Sequence, residues 1–256
     1  MFLRGLLLFV LSFSFAYGEL KSRFFDAPSF DRVTQAAVSA TNTYHFRIPF
    51  VLGVLAFAFD GRISDAATRH TPLFGSQENA EQWSDALVIG LVPMMIYSAF
   101  QSDLPNKDEP VYLTRAKFIG FQSLIILADF AIVTSIKNSS KRVRPDQSDD
   151  LSFPSGHSSV SSGMSRTVFN NINNSRHENT TFGRIIQGTA FTSSILAAWG
   201  RVEAKKHHLS DVLLGNAFGA FISDFLYATF LEEPTKIETA FFINGHQQSM
   251  KLSYSF

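Results

Sequence analysis

Cysteine is absent from the 256 residues, which removes disulfides, thiolate metal sites and cysteine nucleophiles from consideration. An excess of charge of either sign is missing too, since 22 Lys+Arg balance 22 Asp+Glu. Without surplus positive charge a chain cannot neutralise phosphates along a strand, which argues against general nucleic-acid binding. Clean apolar runs of bilayer length are also scarce. Spanning takes about 20 mostly apolar residues. Residues 48–59 are closed off by Arg47 and Asp60, residues 87–100 are short, and the longer segments carry Asp129, Asn216 or Asp224. These interruptions favour, by a small margin, a soluble or membrane-resting bundle over a polytopic one.

What the chain does have is apolar bulk, with 45% hydrophobic residues and 27 Phe, ample for one domain with a sizeable core. Residues 1–4 give a short positive region, residues 6–15 an apolar one, and Ala16-Tyr17-Gly18 the small residues of a cleavage site. Residues 1–18 therefore read as an export signal. A retained first membrane helix is the alternative, against which the run is short. Export without cysteine points to a bacterial envelope. Apolar segments near 46–59, 85–101, 114–136, 185–200 and 210–231 have helical length and little interior Pro. A sixth helix is expected over about 158–171. Around the Asn244-Gly245 pair, two alternating runs predict a hairpin. The expected architecture is all-α: about six helices in a bundle over 19–235, with a short C-terminal β-hairpin over 236–256.

Three clusters in the second half invite chemistry: Lys137 six residues before Arg144-Pro145, then Pro154-Ser155-Gly156-His157, then Arg201, five residues, His207, three residues, Asp211. Holding a phosphate monoester in water takes several fixed cations, and arginine offers a two-donor fork. Lys137, Arg144 and Arg201 supply such charges. Ser155 and Gly156, leading into a helix, supply N–H groups and a favourable dipole. An imidazole attacks phosphorus well when a carboxylate holds its other nitrogen. His207 and Asp211, four apart, share a face if helical. His157 can then protonate the leaving oxygen. Taken singly the clusters have ordinary readings as a solvated basic loop, a turn before a helix, and a capped helix start or weak metal site. Taken together, in this order, the ordinary readings lose ground.

The stretches KNSSKRVRP, PSGH and GRVEAKKHHLSD resemble the three motifs of the type 2 phosphatidic acid phosphatase superfamily, which holds bacterial acid phosphatases, lipid phosphatases and vanadium haloperoxidases. The resemblance implies a helical bundle and a phosphohistidine formed on His207 and oriented by Asp211. It also implies His157 as general acid, and Lys137, Arg144, Ser155, Gly156 and Arg201 as phosphate ligands. No cofactor and no metal is implied for the phosphatase reading. One departure is Gly200, where the family has Ser, from which altered phosphate binding is expected. The expected activity is envelope hydrolysis of a phosphomonoester or pyrophosphate, carried by a phosphorylated lipid or a small molecule, with association to a membrane surface as a further expectation. Vanadium-dependent haloperoxidase chemistry and a non-catalytic envelope binding protein are the alternatives.

Overall fold

A computed structural model describes residues 28–103 and 110–231, and the backbone alone of 237–244 and 247–254. Among the described residues eight helices follow one another: α1 Phe30–Asn42, α2 Tyr44–Ala56, α3 Asp60–His70, α4 Gln77–Gln101, α5 Val111–Ser140, α6 Gly156–Asn173, α7 Thr181–Glu203 and α8 Leu209–Phe230. The all-α expectation holds, and the count of six is corrected to eight. Helices α1 and α3 were missed because neither is an apolar run; α3 reads DGRISDAATRH. Local chemistry sets the starts. Ser29, Thr43, Ser76, Ser155 and Thr180 each cap a helix with a side-chain oxygen that accepts a first-turn N–H, satisfying a donor with no intrahelical partner.

Helices α6 and α8 form the centre. Helix α6 packs on α8, α7, α4 and α5, while α1 and α2 lie against α8. Two glycines let α6 and α8 meet at backbone distance. A Cβ on Gly219 would fall 1.9 Å from the Ser159 carbonyl oxygen, and one on Gly215 2.6 Å from that of Ser155. The seam thus fixes the start of α6, which carries Ser155 to His157, against the first turns of α8.

The polar residues that argued against membrane spans turn inward. Ser159 Oγ donates to Asp129 at 2.5 Å, and Arg166 Nε donates to Asp224 at 2.9 Å. Buried pairing of this kind is how ionisable groups are accommodated inside membrane bundles. Outward, the surface is apolar. Helices α4, α5 and α8 are long and apolar enough to cross a membrane, yet only 28% of the most apolar stretch of α4, and likewise of α5, is buried. Ile89, Phe100, Phe130 and Ile132 are all exposed. The segment read as too short, 87–100, is the second half of a 25-residue helix. The exposed apolar faces support membrane association, beside which the soluble or membrane-resting reading of the sequence stays an expectation.

Beyond α8, strand β1 (Ile237–Asn244) runs antiparallel to β2 (Gln247–Tyr254), with Ile237 opposite Tyr254. The fold rests on the helices, and the hairpin tail stays an expectation. Residues 1–18, read as an export signal, lie outside the described residues.

Candidate active site

Three chain segments meet above the α6–α8 seam: the end of α5 with the loop that follows it, the start of α6, and the α7–α8 connection. His207 lies in that connection, just before α8, and is 2% exposed. Its Nδ1 is 2.6 Å from the Ser152 carbonyl oxygen. A carbonyl only accepts, so Nδ1 carries the proton and a neutral ring leaves a lone pair on Nε2. Burial, then the charges of Lys137, Arg144 and Arg201, hold His207 well below its ordinary value. The ring is neutral at pH 7, as a nucleophile must be.

The expected direct contact between His207 and Asp211 is not what the structure contains. Helix α8 starts at Leu209, so the two are not stacked on one helical face, and Asp211 reaches the ring through Ser152. Its Oδ2 accepts from Ser152 Oγ at 2.6 Å and from the His208 N–H at 2.9 Å. Its Oδ1 accepts from Arg142 Nη1 at 2.5 Å. The carboxylate thereby caps the first turn of α8 and fixes the residue whose carbonyl orients the ring.

Arg142, to which the motifs assign no role, holds this arrangement together. Its guanidinium also donates to Ser210 Oγ at 2.7 Å and to Asp60 Oδ2 at 2.5 Å, and it stacks over the Phe57 ring at 4.7 Å. Asp60 additionally accepts from the Ser210 N–H at 2.9 Å. A chain Asp60–Arg142–Asp211–Ser152–His207 results. No local pattern announces it, because Asp60 and Ser210 are 150 positions apart.

Three cations lie within electrostatic reach of His207: Lys137, Arg144 and Arg201. Lys137 Nζ donates to the Leu151 carbonyl at 2.7 Å, and Arg144 Nε to Asp149 at 2.6 Å. Arg201 differs. It is 5% exposed, its Nε has no hydrogen-bond partner among the described residues, and Nη1 lies 3.8 Å from Glu81 and 3.7 Å from Asp85. A buried donor without an acceptor is costly, so Arg201 is poised for an anion. His157, in the first turn of α6, places Nε2 2.8 Å from Asp85 Oδ1. Desolvation and then Arg201 push its pKa down, while Asp85 opposes them. Arg201 and Lys137 act on both histidines, so the two rings share one positive field.

Ser155 plays a different part from the one expected. Its N–H donates to the Asp211 carbonyl at 3.0 Å, and its Oγ accepts from the Ser158 N–H and Oγ. Ser155 therefore ties α6 to α8 and caps α6. The first-turn N–H groups of Gly156 and His157 have no intrahelical carbonyl and are the ones that can meet an anion. A Cβ on Gly156 would lie 3.8 Å from Lys137 Cε, which puts this glycine beside the lysine.

Residues 119–234 match the family model of the PAP2 superfamily. The matched stretch contains all three motifs, from Lys137 to Asp211. No curated protein sequence matches the chain. A solved structure, described as the first transmembrane PAP2 type phosphatidylglycerolphosphate phosphatase from Bacillus subtilis, superimposes with a TM-score of 0.51. The match covers 77% of this chain and 91% of that one at 19% identity, a likeness of fold. The PAP2 match begins within α5, so Asp60, Glu81 and Asp85 come from helices outside it. Gly200, the departure from the motif, lies in a helix crossing. A Cβ there would sit 2.8 Å from the Ala80 carbonyl oxygen and 3.0 Å from Ser84 Cβ. Here the position serves the packing of α7 on α4.

Proposed function

We propose that this PAP2 protein is a membrane-embedded phosphatase that hydrolyses a phosphomonoester or pyrophosphate of a lipid headgroup through a phosphohistidine on His207. The observation that carries the reading is the pairing of a neutral, buried His207, with Nε2 unprotonated, and the buried donor of Arg201 that lacks an acceptor. Lys137, Arg144, Arg201 and the first-turn N–H groups of α6 hold the phosphoryl oxygens. His207 Nε2 attacks phosphorus, the ester P–O bond breaks, and His157 gives its proton to the departing oxygen. Water then attacks phosphorus with its proton passing to His157, the N–P bond breaks, and inorganic phosphate leaves. Charge-assisted hydrogen bonds that tighten as charge shifts onto the oxygens supply the selective stabilisation.

The lipid part of the reading rests on the apolar outer faces of α4 and α5 and on the fold shared with a phosphatidylglycerolphosphate phosphatase. A cavity of about 270 Å³ supports it as well. This cavity opens between α2, α6, α7 and α8, lined by Ile48, Leu52, Phe191 and Ile195 with Ser162 and Asn216 at its polar side. Ser162 is seven residues along α6 from Ser155, roughly 10 Å at helical rise, a span that a lipid chain below a bound headgroup covers. Export by residues 1–18, with the site on the periplasmic side, completes the proposal. The test is phosphate release from lipid phosphates by the purified protein. His207→Ala should abolish it while leaving the melting temperature in place, and retained turnover would refute the assignment.

A further inference from the structure

We infer that Asp85 is the positioning residue of the general acid: from α4 it anchors the Nε2 side of His157 and leaves Nδ1 to face the departing oxygen. The inference rests on the phosphatase reading above and adds a residue that none of the three motifs contains.

Asp85 Oδ1 lies 2.8 Å from His157 Nε2. A carboxylate can only accept, so Nε2 carries a proton. Nδ1 has no hydrogen-bond partner among the described residues, which makes it the nitrogen open to a ligand. An acid must hold a second proton there, and the surroundings work against that. Desolvation is the largest part of the penalty, and Arg201 from α7 and then Lys137 from α5 add to it with positive charge. Asp85 is the negative group that favours the charged ring. Glu81, one turn earlier on α4, is turned to Arg201 at 3.8 Å and Lys206 at 3.6 Å. The same Asp85 oxygen stands 3.7 Å from Arg201 Nη1, so one carboxylate sets the spacing between acid and phosphate ligand. In the reaction the Nδ1 proton goes to the ester oxygen as the P–O bond breaks, Nε2–H stays on Asp85, and the attacking water returns the proton in the second half.

The leaving group separates this role from a structural one. An alkoxide must be protonated as it departs, whereas nitrophenolate leaves without help. Full-length Asp85→Asn, in detergent, is assayed on a dialkyl glycerol phosphate and on p-nitrophenyl phosphate. General acid catalysis is worth about 10²–10⁴-fold; both substrates lose rate through the altered Arg201 contact, and the expected loss of kcat on the lipid exceeds that on the nitrophenyl ester by about 10-fold or more. The alkaline limb of the lipid profile should move to lower pH, because removing the carboxylate makes the ring give up its proton sooner. Asp85→Glu should recover part of the lipid rate. If Asp85→Asn does not fold, Asp85→Ser removes the carboxylate with less bulk. Equal losses on both substrates, or an unmoved alkaline limb, would overturn the inference. Activity surviving His207→Ala would instead remove the reading beneath it.

Discussion

Removing Arg142 is the perturbation on which the structure speaks most sharply. Its guanidinium bridges two carboxylates, Asp211 with a fully buried side chain and Asp60 at 6% side-chain exposure. Arg142→Ala leaves both charges without their cation. Breaking a buried ion pair from one side costs about 3–5 kcal/mol. Because the Arg142 side chain is itself 23% exposed, water can reach the vacated space, and the lower end, about 3 kcal/mol, is expected. That is more than about a hundredfold in the unfolding equilibrium. Activity should fall too, since Ser152 and the His207 ring hang from Asp211. Thermal and denaturant unfolding in detergent measure the first effect, and phosphate release the second. Asp60→Asn in the Arg142→Ala background should recover part of the loss, because it removes one stranded charge and the two residues are coupled. If Arg142→Ala melts within about 0.5 kcal/mol of the parent and the double variant is additive, the bridging network does not hold the site together.

Packing and charge around the site set three further outcomes. Gly200→Ser, which restores the residue common in the family, should cost about 1–3 kcal/mol by overpacking against Ala80 and Ser84 and should not tighten phosphate binding; a lower KM in an equally stable variant would contradict this. Gly219→Val should prevent the close approach of α6 and α8, seen as loss of a cooperative melt; a normal melt would count against the seam. The pH dependence has a fixed sign. His207 is held neutral in the folded state while an unfolded His takes a proton near 6.5, so stability contributed by this group declines as pH falls below 6.5. The acidic limb of kcat/KM should lie below 6.5 and rise in Arg144→Gln, which takes away one of the cations that depress the ring.

The candidate site was legible in the sequence because its spacing is local within each motif, and in the structure Lys137 and Arg201 act electrostatically on both His157 and His207. The supports were not legible. Asp85 meets His157 across 72 positions and Asp60 meets Ser210 across 150, and such pairs leave no periodic trace. The His207–Asp211 spacing misled for a physical reason: four residues place two side chains together only if both are helical, and the chain turns into α8 between them. The helices were read best where apolar residues run on, as in α5 and α8. Helix α3 was invisible because its reason to be helical is tertiary. Asp129 and Asp224 read in the sequence as interruptions of apolar runs, since composition alone does not say that a charged side chain points at a partner.

The most direct measurement of the central claim is rapid acid-free quenching during turnover of a phosphorus-labelled lipid phosphate, followed by mapping of the labelled peptide. The account predicts an acid-labile, base-stable phosphate on Nε2 of His207 in the parent protein. A phosphate found on any other residue, or steady turnover with no labelled protein at any time point, would contradict it.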